Sequence, residues 1–262
     1  MGIAIAVNAG SSSVKLSVYA VSDTTPKQIA DAKVSSLGSQ NAKLEYSRYG
    51  KSVIEGEKAV EAGDSHDAAF ASILDRLVND LELNEVSSKD DVSFLCHRIV
   101  HGGNYEDSQV INKDTYKTLE ELSDLAPLHN GSALQIVQSC LKQLPKSTNI
   151  ACFDSQYHRS IPKHVATYPI NQDTARRNGL RKYGFHGISY AYIAREVARY
   201  LNKSVDDLTI IALHLGSGAS VCAIKQGKSW DTSMGLTPLS GLPGATRSGS
   251  IDPRQVYKNC PL

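Results

Sequence analysis

Several things are scarce in this sequence. Neither sign of charge is in excess: 28 basic and 27 acidic residues among 262 leave a formal net charge of +1 with histidine neutral. That balance excludes the basic footprint of a nucleic-acid binder. No apolar run approaches the ~20 residues that a bilayer span needs. Met1-Gly2-Ile3 carries no basic stretch ahead of its apolar segment, so neither a membrane span nor a secretory leader is expected. The five cysteines, Cys96, Cys140, Cys152, Cys222 and Cys260, are odd in number and contain no C-x-x-C pair. Most lie in apolar segments where a thiol acts as a small hydrophobe, which argues against a disulfide framework and for a reducing, cytoplasmic setting. Low-complexity tracts and tight repeats are missing too.

What is present reads as α/β. Residues 3–7 and 14–21 are apolar and β-rich, and Asn8 to Ser13 between them is a tip of small polar residues, so a hairpin is expected. Residues 29–55 suggest further antiparallel strands with one wet face. Ala69, Phe70, Ile73, Leu74, Leu77, Val78 and Leu81 recur at three and four, which predicts a helix over 67–81 burying that stripe. A strand over 92–100 follows, then helices over 114–125 and 132–144 separated by a loop at 126–131 with its Pro and Asn-Gly. A short buried strand over 149–153 ends at Asp154. Beyond it a helix at 188–201 and strands at 208–215 and 219–225 restart the pattern, so two lobes are expected, 1–150 and 151–262. Strand, small polar tip, strand thus occurs twice, at 3–21 and at 210–221.

A Gly-Ser tip leaves backbone N–H groups open to an anion, and a plain surface turn is the competing reading. Lys15 would add a point charge, and Asn8 could orient a metal-bound water or the phosphate itself. His97-Arg98-Ile99-Val100-His101-Gly102-Gly103 places Arg98 at a strand end as a carboxylate or phosphate clamp. Asp154, at the end of a strand where α/β ligands gather, is a metal or general-base candidate. His186 stands between Gly184 and Gly187 just ahead of a helix, which aims its ring and nearby amides at one spot. The stretch Asp231 to Gly249 reads as a long ordered loop presenting Arg247, with Leu236, Leu239 and Leu242 as apolar anchors.

Together, Asn8-Ala9-Gly10-Ser11-Ser12-Ser13-Val14-Lys15, His97 to Gly103, Phe153-Asp154, Tyr183-Gly184-Phe185-His186-Gly187, His214-Leu215-Gly216 and Asp231-Thr232-Ser233-Met234-Gly235 running on to Thr246-Arg247-Ser248-Gly249 resemble the acetate kinase family of the sugar kinase, heat-shock ATPase and actin superfamily. The resemblance implies a two-lobed, actin-like (ribonuclease H-like) α/β fold with mixed sheets. It also implies reversible phosphoryl transfer from ATP to acetate with Mg²⁺, giving acetyl phosphate and ADP, in a cytoplasmic homodimer. By position, Arg98 and Arg247 would hold acetate and the transferring phosphoryl, and His186 would donate to the developing charge. Asp154 and Asn8 would serve the metal, while Lys15, Ser11, Ser12 and Ser13, with His214, Leu215, Gly216, Ser217 and Gly218, would cradle phosphates. Val100, Leu128, Phe185 and Pro238 match the family's small pocket for the acetate methyl. An ionised carboxylate is already a nucleophile at neutral pH, so such a site needs cations rather than a base.

The departures are Ser217 for an Asn, Asn130-Gly131 for Asn-Pro, Tyr190 for a His and Ser250 for an Asp. The family also continues beyond the point where this sequence stops, through an adenosine-binding glycine loop and a late metal-binding Glu. An incomplete second lobe with weak or no turnover is therefore expected of this chain alone. Two other readings are a kinase of another short-chain acid or with a pyrophosphate donor, and a non-catalytic nucleotide- or phosphate-binding fragment.

Overall fold

In the computed structural model, which describes residues 2–10, 12–22, 25–39, 41–58, 65–125, 127–252 and 254, the opening alternation becomes a long hairpin. The side chains of residues 58, 124, 125 and 127–129 fall outside that description. Strands β1 (Gly2–Gly10) and β2 (Ser13–Val21) pair antiparallel from Gly2↔Val21 to Gly10↔Ser13. Alternation puts Ile3, Ile5 and Val7 with Val14, Leu16 and Val18 on one face, and all six are buried. The described residues form two units, one of 2–99 with 108–152, the other of 100–107 with 153–254.

In the first unit, β3 (Lys27–Ser35), β4 (Lys43–Arg48) and β5 (Lys51–Lys58) extend the antiparallel meander that the sequence suggests. Helix α1 (His66–Val78) then crosses back, and β6 (Val92–Ile99) runs parallel to β1 with Val7 opposite His97. After β7 (Gln109–Val110), α2 (Lys113–Glu121), α3 (Pro127–Gln143) and β8 (Thr148–Phe153), the sheet reads β5-β4-β3-β2-β1-β6-β8-β7. It is mixed, because the parallel β1–β6 pair needs a helical crossover while the hairpins do not.

The stripe predicted for α1 is buried through Ala69, Phe70, Ile73, Leu74 and Leu77, and the Ser65 hydroxyl caps the helix by accepting from Ala68 N–H. Leu81 does not belong to the stripe. The helix ends at its cap, Asn79, and Leu81 lies beyond it, 95% exposed. Nor is 126–131 a loop throughout, since α3 begins at Pro127. Proline suits a first helical turn, whose N–H groups have no partner within the helix. Asn130 is fully buried inside that helix. Cys140 and Cys222 are buried as small hydrophobes, but Cys96 and Cys152 are half-buried on the neighbouring strands β6 and β8 and hydrogen-bonded to each other.

The second unit carries α4 (Lys163–Ala166), α5 (Gln172–Arg177), α6 (Gly187–Tyr200) and the antiparallel sheet β11-β10-β9, made of β9 (Thr209–Leu215), β10 (Ala219–Lys225) and β11 (Lys228–Thr232). Tyr190 and Ala194 of α6 pack on Ala212, Cys222 and Ile224. On β9, Ile211, Leu213 and Leu215 are 65%, 54% and 68% exposed. Beyond β11 the stretch to Gly249 is turns pinned by a Gly244↔Arg247 bridge. It is ordered as the sequence suggests, and of the expected anchors Leu236 packs against the buried Met234, while Leu239 is exposed; Pro238 is buried as well.

Candidate active site

In the first unit the opening tip is braced rather than loose. His66 Nε2 donates to the Gly10 carbonyl at 2.7 Å, and Leu37 N–H donates to the Ser12 carbonyl at 3.0 Å. Ser12 is exposed and Ser13 half-buried, and Ser11 lies outside the described residues. Asn8 and Lys15 face each other in the β1–β2 register. The parallel β1–β6 register also brings Asn8 beside Arg98, whose Nη1 donates to Asn8 Oδ1 at 3.3 Å. An arginine fork, an amide, a hydroxyl-rich tip and a lysine therefore share one end of β1, β2 and β6. This arrangement can receive an oxyanion.

The second unit gathers the other candidates. Phe153 and Asp154 close β8, and Asp154 is 1% exposed. Its backbone carbonyl accepts the Gly187 N–H at 2.8 Å, which ties the strand end to the start of α6. His186 caps that helix in the left-handed region with φ 59°, where a non-glycine residue is uncommon and is held by its surroundings. Its ring stacks on His214, with centroids 4.0 Å apart. The tip between β9 and β10 then passes directly under the imidazole. A Cβ on Gly218 would lie 3.2 Å from His186 Nε2 and 2.8 Å from Arg247 Nη2, so only glycine fits there without displacing one of them. Arg247 Nη1 donates to the Pro238 carbonyl at 2.9 Å, and Ala245 N–H to the Ser217 carbonyl at 2.9 Å. His186, His214, Gly218 and Arg247, spread over sixty residues of sequence, thus meet at one point, with Leu215, Gly216 and Ser217 exposed on the tip itself.

Val100 and Phe185 are packed with Tyr183 and Met234, with Leu236 at the edge. His101 sits against Tyr183 and Phe185 and donates from Nε2 to the Leu236 carbonyl at 3.1 Å. Tyr183, Met234 and Leu236 were not in the pocket set drawn from the sequence. The Leu128 side chain and Cys260 lie outside the described residues. Among the described residues no cluster of three His, Cys, Asp or Glu side chains could hold a metal ion.

Residues the sequence did not single out support the site. Ser220 Oγ lies 2.8 Å from His186 Nδ1, and Ser189 Oγ lies 2.9 Å from His214 Nδ1. His158, 3% exposed, donates from Nε2 to the Phe185 carbonyl at 2.9 Å, so its Nδ1 accepts from Ser229 Oγ at 2.7 Å. Ser220 and Ser229 alternate inward on β10 and β11, which is the only sequence signal that could have found them.

Burial pushes His158 and His97 down to about 4, against opposing help from the Phe185 carbonyl in one case and Asn149 in the other. The unfolded chain, with histidine near its ordinary value of about 6.5, binds more protons than the folded one across that interval. Stability is then complete above about pH 6.5 and falls as the pH drops toward 4. The urea midpoint should be clearly lower at pH 5 than at pH 7.5, and His158→Gln should shrink the difference. A midpoint unchanged between the two would contradict the burial of both rings as neutral imidazoles.

Residues 3–257 match the family model described as the acetokinase family. Over 256 residues the chain is 56% identical to a probable acetate kinase of Chaetomium globosum, covering 97% of this chain and 56% of that protein. It superposes on a propionate kinase from Francisella tularensis with TM-score 0.84 at 31% identity, covering 99% of this chain and 65% of the other. For the acetate kinase of Porphyromonas gingivalis the TM-score is 0.80 at 32% identity, over 99% of this chain and 64% of that one. The chain thus spans little more than half the length of the fungal relative. No helix among the described residues is long and apolar enough to cross a membrane.

Proposed function

The chain belongs to the acetokinase family and has its actin-like α/β fold, and on that footing we propose that it carries the phosphoryl-transfer centre of an acetate kinase. The reaction is ATP plus acetate giving ADP and acetyl phosphate, reversibly. The observation that carries this reading is the meeting of the Arg247 guanidinium and the His186 imidazole at Gly218. A transferring phosphoryl spreads negative charge over its oxygens, and fixed N–H donors set where that charge develops lower the barrier. Acetate brings its own negative oxygen, so no side chain must take a proton from it. Arg247 and Arg98 bind the anions in this reading, and His186 donates to a phosphoryl oxygen. Lys15, Ser12, Ser13 and the 214–218 tip hold nucleotide phosphates, and Val100, Phe185 and Pro238 bound the methyl of the acid. The two lobes are proposed to divide near residue 150.

Mg²⁺ fits the residues present in one mode only. In the second unit the buried Asp154 carboxylate offers a hard oxygen donor, and there is no clustered cage of acids among the described residues. That suits an ion held by one carboxylate, water and nucleotide phosphates, where it would neutralise phosphate charge. A cytoplasmic homodimer completes the proposal.

The direct test traps acetyl phosphate as its hydroxamate, using this chain and a version extended with the remaining length of the fungal relative. Acetate, propionate and butyrate are compared, with ATP and pyrophosphate as donors. Acetate- and ATP-dependent product in the extended form supports the reading, and its absence with every acid and donor sinks it. A preference for propionate is the second reading, favoured by the likeness to the Francisella propionate kinase. Nucleotide binding without product from either form would instead mark a binding fragment.

A further inference from the structure

Tyr190, Ser220 and His186 form a buried file whose hydrogens can be placed by counting. Tyr190 and Ser220 are fully buried, and His186 is 7% exposed. Tyr190 Oη lies 2.6 Å from Ser220 Oγ, and Ser220 Oγ lies 2.8 Å from His186 Nδ1. The backbone N–H of His214 donates to Tyr190 Oη. A phenol and a serine hydroxyl each have one proton to give. If His186 Nδ1–H donated to Ser220, one of the two hydroxyl protons, on Tyr190 or on Ser220, would have no acceptor among these partners. Leaving a buried O–H in that state is costly, because it has given up water and gained no acceptor. The reverse order gives both hydroxyl protons an acceptor: His214 N–H donates to Tyr190, Tyr190 O–H to Ser220, and Ser220 O–H to His186 Nδ1. A nitrogen that accepts carries no proton, so in the neutral ring the proton sits on the other one, Nε2, which lies beside Gly218 next to the Arg247 guanidinium.

We propose that Tyr190 and Ser220 are positioning residues that fix His186 as its Nε2–H tautomer, so that an N–H donor faces the Gly218 and Arg247 corner where a phosphoryl oxygen is to be bound. The role given to that donor rests on the phosphoryl-transfer reading above; the tautomer does not. Stacking on His214, itself held by Ser189, keeps the ring from turning over, because a flip would exchange its two nitrogens between Ser220 and the corner. A phenol is donor and acceptor at one atom, which this geometry requires.

The test is nitrogen-detected imidazole NMR on the 262-residue chain at pH 8, where an ordinary histidine is neutral. The wild-type His186 should show one fully protonated nitrogen, Nε2, and one bare nitrogen, Nδ1. Ser220→Ala should lose this separation, both nitrogens moving to intermediate shifts, and Ser220→Thr should restore it. Tyr190→Phe, which keeps the ring that packs on Ala212, Cys222 and Ile224, should shift the pair in the same direction with unchanged circular dichroism. A wild-type Nδ1–H signal, or shifts indifferent to both Ser220→Ala and Tyr190→Phe, overturns the proposal. Titration with inorganic phosphate is a separate arm. Movement of the Nε2–H signal supports a phosphoryl oxygen at this corner, while a still signal counts against the phosphoryl reading and leaves the tautomer assignment standing.

Discussion

Arg247→Ala should lower acetyl phosphate formation about a thousandfold, the upper end of what the loss of one fixed donor to a developing negative charge removes. The guanidinium is half-buried, its Nη1 is held by the Pro238 carbonyl at 2.9 Å, and its Nη2 lies over Gly218. In the proposed reaction it would meet the phosphoryl already oriented, and the alanine variant would leave charge on the oxygens with one fewer partner. Arg247→Lys should recover only a small part, because an ammonium cannot give the carbonyl and the anion parallel N–H bonds from one plane. Because the side chain makes a loop contact rather than a core contact, the thermal midpoint should move by no more than a few degrees. The hydroxamate assay on the extended form reads the rate, and calorimetry of acetyl phosphate binding gives a second readout that does not depend on turnover. Activity within tenfold of wild type, with binding intact, would remove Arg247 from the site.

Gly187→Ala should be strongly damaging. A Cβ there would come 2.2 Å from the Asp154 carbonyl oxygen and 2.8 Å from Tyr157 Cβ. The first obstacle is backbone and cannot rotate aside, so either α6 withdraws or the turn after β8 does. Overpacking of this kind costs about 3 kcal/mol, and here it also breaks the Gly187 N–H to Asp154 bond that places His186. Gly131→Ala is the matching control. Gly131 lies within α3, and a Cβ on it meets nothing within 4 Å, so alanine should stabilise by about 0.5–1 kcal/mol through helix propensity. Urea unfolding of both variants checks the pair. Equal midpoints would mean that the close approach at Gly187 is absent in solution.

Much of the fold was legible because it depends on near neighbours in sequence. Alternation gave the β1–β2 hairpin, and three-four spacing gave α1, although that spacing alone could not show that Asn79 would end the helix before Leu81. Pro127 and the Asn130-Gly131 pair read as a loop by composition, yet proline is at home in a first turn, and whether the helix starts there depends on what α3 packs against. Strand β11, Lys228–Thr232, has little apolar alternation to announce it and is recruited by pairing with β10.

Within the site, the sequence by itself settled which chemistry-bearing residues were on offer. Arg98, Asp154, His186, the 214–218 tip and Arg247 stood out because arginine at a strand end, a glycine-framed histidine and bare small-residue tips are local features. Only the tertiary structure brought His186 onto His214, laid Arg247 over Gly218, and put Ser220 behind the imidazole. Those contacts join segments about thirty residues apart, and no local spacing encodes such a distance. Closing those loops depends on burial of Tyr190, Ala194, Cys222 and Ile224 in one core, and the direction of each hydrogen bond is then set by which buried proton would otherwise be left without an acceptor.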